Sequence, residues 1–345
     1  MKVLVTGSTG FIGGALCREL VAQGHEVHAF HRASSALRVL EDLPVAHVIG
    51  DLTQADTLLT AMQDIEVVFH AAAFLGGNDD PGRNYAVTVE GTRSLLEAAR
   101  KAGVRRVVHT SSVAALGVPE SGPVDEPCLL NESHTWNYRP ERWSYGYAKY
   151  LAELEVQKAV AGGQDIVIVN PSIVFGAGDV YRQTSSLVVQ VARHKLPALV
   201  EGGANFVHLQ DVVDGHLAAL AKGQCGERYI LGGENLTLVK VVEKIAAVVG
   251  AHPPLIVLPG GVARALAGPA VLFKNFIDLP VGSELLYLAG KFFYYDSHKA
   301  QVELGLGSPR PVEEGMKEAY AWFQSVGALP KKKEVEAKET ADRIV

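Results

Sequence analysis

Tyrosine and lysine residues four positions apart are the feature of this sequence that points most directly to chemistry. On a helix, this spacing puts a phenol and an ammonium group on the same face. The positive charge favours the phenolate, which suits the phenol to exchange a proton with an alcohol or a carbonyl. The spacing occurs three times, at Tyr145/Lys149, Tyr287/Lys291 and Tyr295/Lys299. Spacing alone therefore identifies no site, and the place of each pair in the chain must decide between them.

Two serines at the end of an apolar run favour the first pair. Ser111 and Ser112 follow the run that begins at Val104, and Tyr145 lies in the next long helical segment. If that run is a strand of a parallel sheet, its carboxyl end and the tyrosine helix meet at one edge of the sheet. A serine hydroxyl there can hydrogen-bond a reacting oxygen as charge develops on it. We therefore expect a serine, Tyr145 and Lys149 to form the catalytic set.

The glycines near the N-terminus predict a nucleotide site. Gly7, Gly10 and Gly13 stand in the run Gly-Ser-Thr-Gly-Phe-Ile-Gly, between a short apolar run and a helical pattern. Glycine lets the backbone approach a pyrophosphate closely, and the start of a helix offers free N–H groups and partial positive charge. The candidate contacts in this run are Gly7, Thr9, Gly10, Phe11, Ile12 and Gly13. The alternative is a plain glycine-rich turn.

The residues after the second apolar run indicate which dinucleotide binds. A site for NAD usually has an Asp or Glu here that bonds the ribose hydroxyls. This chain instead has Arg32 followed by Ser34 and Ser35, with no acid. An arginine can hold a 2′-phosphate with two hydrogen bonds. We expect NADP(H) to be preferred, with NAD(H) as the alternative; the alternative role for Arg32 is that of a surface charge at the start of a loop.

Two further segments follow apolar runs and are candidate cofactor contacts. Asp51 and Leu52 follow the third run, where Asp51 could accept a hydrogen bond from adenine or cap the helix expected to begin near Thr53. The three alanines Ala71, Ala72 and Ala73 follow the fourth run. Their small side chains would let a cofactor lie against the backbone.

The alternation of short β-branched runs with longer helical patterns predicts an α/β fold. Such alternation is typical of a doubly wound parallel sheet, a Rossmann fold, because each parallel step needs a crossover. We expect residues 1–170 to form the dinucleotide-binding domain, with 205–230 returning to it. Residues 171–204 and 231–328 would form a smaller C-terminal substrate lobe, beginning with a glycine-rich loop over Pro171–Asp179, and 329–345 a charged tail that is solvated or disordered. Ligands of such sheets bind beyond the carboxyl ends of the strands.

Composition restricts the class of protein. The chain has 345 residues, of which 48% are hydrophobic, with a formal net charge of −6 and no long basic block. The hydrophobic fraction excludes disorder of the whole chain. The negative net charge and the lack of a basic block argue against nucleic-acid binding. The three cysteines are far apart, so neither a disulfide scaffold nor a cysteine-rich zinc site is expected, and a cytoplasmic location fits. We expect no transmembrane segment, because no apolar stretch is long enough.

A long connection, Val118–Arg142, separates the serine run from the tyrosine helix. Its aromatic residues are candidates for the lining of an apolar pocket under a lid, or they pin the connection to the core. The apolar stretch Val262–Leu288 is a candidate for the opposite wall, or ordinary core of the C-terminal lobe. His109 and His208 have no partners at metal-ligand spacing and are expected to be structural, with no metal site.

Several of these motifs together resemble the extended short-chain dehydrogenase/reductase superfamily. The motifs are Val5–Gly13, Gly50-Asp51-Leu52, His70–Ala73, Val89–Thr92, Thr110–Ser112, Tyr145 with Lys149, and the segments Val169–Ser172, Gly226–Asn235 and Tyr295–Ser297. The chain is most similar to the dihydroflavonol-4-reductase-like branch, and the same segments also resemble 3β-hydroxysteroid dehydrogenases and hopanoid-associated sugar epimerase-like proteins.

The resemblance implies roles for particular residues. It implies that Ser112 rather than Ser111 completes the catalytic set, that Phe11 and Ile12 contact the pyrophosphate through their backbone, and that Pro171 and Ser172 lie near the nicotinamide. Two positions depart from many relatives, which carry Asn in place of Thr88 and Arg in place of Asn170. Both departures make a sugar nucleotide a less favoured substrate.

The leading hypothesis is an NADP(H)-dependent oxidoreductase that reduces a ketone or aldehyde of an apolar small molecule, or oxidises the alcohol. The alternatives are a sugar-nucleotide epimerase with tightly bound NAD, a 3β-hydroxysteroid or decarboxylating sterol dehydrogenase, and a non-catalytic nucleotide sensor. Such a sensor would need the glycine run but not the full serine, tyrosine and lysine set. Relatives are monomers or dimers, so a homodimer is compatible with the family.

Overall fold

The computed structural model describes residues 1–74, 80–120, 128–180, 186–254, 256–272 and 286–329. The middle of the long connection (121–127), much of the apolar stretch Val262–Leu288 (273–285) and all of the expected tail except Leu329 lie outside the described residues. Leu329 itself is buried in a hydrophobic core, not solvated. Within these ranges, no helix combines the length and the apolar character needed to cross a membrane.

The largest element of the fold is a seven-stranded parallel sheet. Its strands are β1 (Lys2–Thr6), β2 (Glu26–His31), β3 (Ala46–Ile49), β4 (Val67–His70), β5 (Arg106–Thr110), β7 (Ile166–Pro171) and β11 (Arg228–Leu231). They lie in the order β3-β2-β1-β4-β5-β7-β11. The inner strands are buried on both faces, which explains why β4 reads as a continuous apolar run up to His70.

Helices cover both faces of this sheet. They are α1 (Phe11–Ala22), α2 (Ala55–Ala61), α3 (Pro81–Asn84), α4 (Gly91–Ala102), α5 (Ser144–Ala161) and α7 (Leu209–Lys222). On one face, Leu16 of α1 packs in a core with Val5 of β1. On the other face, Leu95 of α4 and Val156 of α5 pack with Leu4 of β1. The doubly wound α/β fold predicted from the alternating pattern is confirmed.

The remaining elements form a second, smaller layer of structure. Its strands are β6 (Leu129–Leu130), β8 (Ile173–Phe175), β9 (Leu199–Val200), β10 (Gly203–His208), β12 (Glu234–Thr237), β13 (Val257–Leu258) and β14 (Phe292–Tyr295), and its helices are α6 (Ser186–Ala192), α8 (Leu238–Val249), α9 (Gly260–Leu272), α10 (His298–Leu304) and α11 (Val312–Ser325). Strands β12, β10, β14 and β6 pair in that order, and β8 pairs with β10. Phe206, Val241 and Met316 lie in the core of this part.

Three local predictions need correction. The stretch Pro171–Asp179 is not loop throughout, because β8 pairs in parallel with β10 inside it. Thr53 does not cap α2, whose N-cap is Gln54 without a side-chain bond. The sequence pattern predicts one continuous α-helix over Tyr85–Ala102, but this stretch begins with a π-helical segment, Tyr85–Glu90, and only then becomes α4. Its expected end is confirmed, since Gly103 closes α4 in a left-handed conformation at φ 72°.

Candidate active site

The candidate site lies at the carboxyl edge of the parallel sheet, between β1 and β4. After β1 the chain turns into α1 on one face, and after β4 it leads to α4 on the other face. The connections therefore diverge and leave a crevice, which is where open α/β sheets bind ligands. Gly7 has φ +68°, and a Cβ on it would stand 2.7 Å from the backbone nitrogen of Ala72. Glycine at this position thus lets the turn after β1 lie directly against the alanine segment after β4.

The glycine turn is tightly packed on itself. The backbone N–H of Gly10 donates to the carbonyl of Gly7 at 2.8 Å, and a Cβ on Gly13 would lie only 2.1 Å from that same oxygen. The Ser8 hydroxyl fixes the turn to β2 by donating to the Phe30 carbonyl at 3.0 Å. Gly10 is the N-cap of α1 and supplies no side-chain hydrogen bond to it. The first turn of α1 therefore starts without a side-chain cap, as a site for a phosphate would.

Arg32 and Asp51 lie together at the adenosine end of the expected site. Arg32 is exposed beyond the end of β2. One oxygen of Asp51, Oδ1, accepts from the backbone N–H of Thr53 at 2.9 Å and from its hydroxyl at 2.8 Å. Partial burial would raise the Asp51 pKa, but the Thr53 hydrogen bonds and the charges of Arg32 and Arg83 outweigh it and hold the pKa below its ordinary value. Asp51 thus carries a negative charge within reach of Arg32, and its own contacts form a turn rather than a helix cap.

The other expected cofactor contacts are distributed along the same edge. Thr9 is buried, and Phe11 and Ile12 are half-buried against the core. Leu52 is buried and stands against Gly91, where a Cβ would come within 3.0 Å of it. Its side chain therefore belongs to the hydrophobic core.

Ser112 stands at the end of β5 and begins a short 3₁₀ turn over Val113–Leu116. Its hydroxyl accepts from the backbone N–H of Ala114 at 3.2 Å. Its carbonyl accepts from the side-chain amide of Asn170, at the end of β7, at 2.9 Å. The side chain is only partly buried, so its hydroxyl hydrogen can be offered toward the crevice.

Tyr145 and Lys149 lie in the first two turns of α5. Lys149 is 3% exposed, and its Nζ donates to the carbonyl of Thr110 at 3.0 Å. This bond brings the ammonium group to the end of β5, next to the two serines. Burial lowers the pKa of Lys149 to about 8, although the charge of Glu153 opposes this change. Tyr145 is partly buried one turn earlier on the same helix.

The other two tyrosine and lysine pairs have different surroundings. Lys291 donates to the carbonyl of Pro119 at 3.2 Å. Lys299 donates to Glu227 at 2.6 Å, whereas the hydroxyl of Tyr295 points to the carbonyl of Val113 at 3.4 Å. Neither lysine joins the end of β5 as Lys149 does.

A buried histidine to which the sequence argument assigns no role connects the elements around the crevice. His70 bonds Thr6 at 2.8 Å through Nδ1 and Thr92 at 3.0 Å through Nε2. The Thr92 hydroxyl donates to the carbonyl of Thr88 at 2.6 Å, so it accepts from Nε2–H, and Nδ1 accepts from Thr6. Burial, and after it the charge of Lys149, lowers the His70 pKa to about 3. His70 is therefore a neutral link between the ends of β1 and β4.

Two consecutive hydrogen bonds connect the π-helical segment to the tyrosine helix. The Thr88 hydroxyl donates to Asn84 Oδ1 at 3.0 Å, and Asn84 Nδ2 donates to the carbonyl of Ser144 at 3.2 Å. Ser144 directly precedes Tyr145. The threonine noted above as a departure from many relatives thus acts together with an asparagine one turn earlier.

His109 and His208 were expected to be structural. His208 accepts from the backbone N–H of Gln210 at 3.0 Å and so caps α7. His109 is buried beside His70 and Lys149, and desolvation keeps its pKa well below the ordinary value. Among the residues that the structure describes, no group of three His, Cys, Asp or Glu side chains is arranged to hold a metal ion.

The aromatic residues of the long connection pack on the tyrosine helix. The Trp136 ring lies 5.5 Å from that of Tyr147 and 6.1 Å from that of Tyr150, centroid to centroid. A Cβ on Gly146 would stand 2.8 Å from Trp136 and 2.9 Å from Trp143. Glycine next to Tyr145 therefore allows both indoles to close on α5, and the described part of the connection is anchored there.

The crevice fits a dinucleotide on the chain's own geometry. The backbone of the Gly7 turn lies against the segment after β4 with no room for a Cβ, and α1 begins without a side-chain cap. Ser172, after Pro171 at the end of β7, has a buried hydroxyl with no hydrogen-bond partner among the described residues. A buried hydroxyl without a partner is costly unless a ligand or water completes it. These features are those that a bound nicotinamide dinucleotide would use.

Comparison with known proteins supports this interpretation of the crevice. Residues 3–232 match the model of the NAD dependent epimerase/dehydratase family. The chain is 36% identical over 331 residues to a Synechocystis protein named "Putative dihydroflavonol 4-reductase", covering 94% of each chain. It is 33% identical over 342 residues to sterol demethylase protein B of Methylococcus capsulatus, covering 95% of this chain and 100% of that one. Among solved structures, PA4631 of Pseudomonas aeruginosa, described as a nucleoside-diphosphate-sugar epimerase, superposes with a TM-score of 0.79 at 25% identity, over 95% of this chain and 99% of that one.

Proposed function

The chain belongs to the NAD-dependent epimerase/dehydratase family, and we propose that it is an NADP(H)-dependent oxidoreductase acting on the carbonyl or hydroxyl group of an apolar small molecule. The observation that carries the proposal is the buried Lys149 ammonium bonded to the end of β5 at 3.0 Å. It places a positive charge beside Ser112 and one helical turn from Tyr145. Of the three tyrosine and lysine pairs, this one lies at the edge of the sheet where a dinucleotide would bind.

The residues that would hold the dinucleotide surround the crevice. Gly7 and Gly10, with the backbone of Phe11 and Ile12, would contact the pyrophosphate, and Ser172 would bond the nicotinamide end. When bound, the nicotinamide accepts or supplies the hydride. Lys149, which is 3% exposed, is itself shielded from bulk water.

The protein's own residues would move the proton. In the reducing direction, the Tyr145 hydroxyl donates its proton to the substrate oxygen, and in the oxidising direction the phenolate takes it back. The Lys149 ammonium stabilises the phenolate, because a positive charge close by lowers the pKa of a phenol. The Ser112 hydroxyl donates a hydrogen bond to the substrate oxygen while that oxygen carries charge.

The preference for NADP(H) rests on Arg32. Its guanidinium is exposed beyond β2, where the 2′-phosphate of NADP would lie, and no acid follows that strand. The ionised Asp51 nearby would orient the guanidinium. The exposed Arg32 and the absence of an acid directly after β2 favour the phosphorylated cofactor over NAD.

Reduction of an apolar ketone or aldehyde is favoured by the similarity to the Synechocystis protein over 94% of both chains. A second candidate is the oxidation of a sterol hydroxyl group. It is favoured by the similarity to sterol demethylase protein B, which this chain matches over that protein's full length.

The experiment that tests the proposal follows the near-ultraviolet absorbance of the reduced cofactor. NADPH or NADH is supplied with flavonols, aromatic aldehydes and sugar nucleotides, and NADP⁺ or NAD⁺ is supplied with sterols. We expect stoichiometric consumption of NADPH with one of the first two classes, or formation of NADPH with a sterol. Turnover of a sugar nucleotide without net change in cofactor would instead indicate an epimerase.

The residue assignment is tested with Tyr145→Phe. This change removes the proton donor and keeps the ring, so we expect turnover to fall by at least about a hundredfold while NADPH affinity, measured by fluorescence quenching, stays within a few-fold. Tyr287→Phe, from another of the three pairs, is the matched control and should keep its activity. Retained turnover in Tyr145→Phe would refute the role.

A further inference from the structure

Glu153 is a buried carboxylate on α5, one turn beyond Lys149, and neither its role nor its partners follow from the motifs. It is 4% exposed. Its Oε1 accepts from the Ser111 hydroxyl at 2.5 Å and from Asn170 Nδ2 at 2.7 Å. Its Oε2 accepts from Arg228 Nη1 at 3.1 Å. Three donors, one of them charged, replace the water that this carboxylate loses on burial.

The same contacts extend to Ser112. Asn170 Nδ2 donates both to Glu153 and to the Ser112 carbonyl, at 2.7 and 2.9 Å. The amide nitrogen has two hydrogens, and each has its own acceptor. Ser111, bonded to the carboxylate, directly precedes Ser112. Glu153 therefore restrains Ser112 both through the preceding residue and through the Ser112 carbonyl.

The charge of Glu153 also acts on Lys149. Among the described residues, the titratable groups whose charges interact with Lys149 are Glu153 from its own helix, His70 from β4 and His109 from β5. Tyr145 lies one helical turn before Lys149. Both histidines are buried and neutral. Burial disfavours the ammonium form of Lys149, and the negative charge of Glu153 opposes this effect.

Arg228 connects this carboxylate to the long connection before α5. Its Nη2 donates to the carbonyls of Glu132 at 2.6 Å and His134 at 3.2 Å. Glu132 in turn accepts from the backbone N–H of Ile230 at 2.9 Å. The segment from Glu132 to His134 is thus held on β11 by the same guanidinium that pairs with Glu153.

We propose that Glu153 is a positioning residue of the active site, which holds Ser111 and Asn170, and through them Ser112, and sets its negative charge one turn from Lys149. Arg228 balances that charge and ties it to the segment Glu132–His134. The proposal rests on the proposed function for the roles of Ser112 and Lys149. It assigns no contact with substrate or cofactor to Glu153.

The test compares Glu153→Gln with Glu155→Gln in the full chain. Glu155 lies on the same helix and pairs with Arg93 and Lys158 instead, so its variant removes an ion-paired carboxylate away from the site. The titration of Lys149 is followed without cofactor by NMR of ¹³Cε-labelled lysine, with its signal assigned from Lys149→Met. We expect Glu153→Gln to lower the titration midpoint by roughly one pH unit and Glu155→Gln to leave it unchanged.

Activity gives the second readout. With a substrate in hand, Glu153→Gln should reduce kcat by about tenfold to a hundredfold and move the alkaline limb of the kcat profile to lower pH. A merely structural role would lower thermal stability without moving that limb. Equal midpoints in wild type and Glu153→Gln, or an unmoved alkaline limb, would overturn the proposal.

Arg228→Gln keeps the proposal testable if Glu153→Gln does not fold. It leaves the carboxylate and removes the positive charge that balances it, together with the bonds to the carbonyls of Glu132 and His134. The loss of that charge should raise the Lys149 midpoint, and an unchanged midpoint counts against the proposal. The NMR readout separates the two proposals. A shifted midpoint without any turnover dependent on Tyr145 means that the proposed function fails, whereas turnover dependent on Tyr145 with an unshifted midpoint means that the positioning role fails.

Discussion

At the scale of single residues, charge at the end of β2 decides which dinucleotide the crevice favours. Arg32 is exposed there, and its charge reaches Asp51, which is ionised. A guanidinium matches a phosphate with two hydrogen bonds, each assisted by charge. A carboxylate in its place would repel the phosphate and accept from the two ribose hydroxyls of NAD instead.

Arg32→Asp should therefore weaken NADPH binding more than NADH binding. Loss of a charge-assisted contact costs about 1.5–3 kcal/mol, which corresponds to about tenfold to a hundredfold in the dissociation constant. The affinity for NADH should change by only a few-fold. Both constants are measured by fluorescence titration, and Arg18→Asp, on the exposed side of α1, controls for the change in net charge. An equal loss of affinity for NADPH and NADH would show that Arg32 does not bind the 2′-phosphate.

The site residues predicted from sequence and those to which only the structure points differ in a physical way. Ser112, Tyr145 and Lys149 follow strand ends or stand at a helical spacing, and such positions can be recognised in one dimension. Glu153 has its partners on β5, β7 and β11, which only folding brings together. Its position four residues after Lys149 was the available signal, but helix surfaces often carry such charged pairs. From sequence, Asn170 stands out only as a departure from many relatives. In the structure its side-chain amide donates a hydrogen bond to the Ser112 carbonyl.

At the scale of elements, the turn from β1 to α1 has no room for a side chain at Gly7 or Gly13. Gly7, Gly10 and Gly13 pack so closely that the Gly7 carbonyl lies against both other glycines. The obstructing atoms belong to the backbone, so no side-chain rotation can relieve a clash.

Gly13→Ala should disrupt this turn. The new Cβ would lie 2.1 Å from the Gly7 oxygen, so the turn must open, at a cost of about 1–3 kcal/mol. We expect dinucleotide affinity to fall by about tenfold or more, because the turn no longer offers its backbone in place. Gly261→Ala is the control, since a Cβ on Gly261 meets nothing within 4 Å. Calorimetric melting and NADPH titration are the measurements; full affinity in Gly13→Ala would mean that the dinucleotide does not bind at this turn.

The elements themselves were predictable to different degrees. The sequence pattern predicts a strand over Arg228–Leu231 and a helix over Leu238–Val249. Strand β11 and helix α8 have these ends, because glycines or turn residues mark them in sequence. The π-helical segment Tyr85–Glu90 was not predictable, because its hydrophobic spacing resembles that of the α-helix it joins. Strand β8 has only three residues and acquires its partner β10 from about thirty residues further along. Tertiary pairing of this kind leaves no local pattern.

At the scale of the whole molecule, the parallel sheet buries three histidines that must stay neutral. His70, His109 and His216 are each at most 1% exposed. His216 bonds Thr110 at 2.8 Å and the Val212 carbonyl at 2.7 Å. These imidazoles lie on β4, β5 and α7, so they report on the folding of the whole sheet layer rather than of one element.

The protein should therefore lose stability on mild acidification. Burial lowers the pKa of His216 to about 4 and that of His70 to about 3, and it also lowers the pKa of His109. In the unfolded chain a histidine titrates near pH 6.5. Below that pH the unfolded state therefore binds more protons than the native state, in which these imidazoles stay neutral. The stability that these groups contribute is complete above about pH 6.5 and declines as the pH falls toward 4, by at most about 1.4 kcal/mol per pH unit for each histidine. Urea unfolding at a series of pH values measures this slope. His216→Gln should reduce the slope by up to one histidine's share, whereas His252→Gln, which changes an exposed imidazole, should leave it as it is. A slope that His216→Gln does not alter would show that this imidazole takes up a proton in the native state.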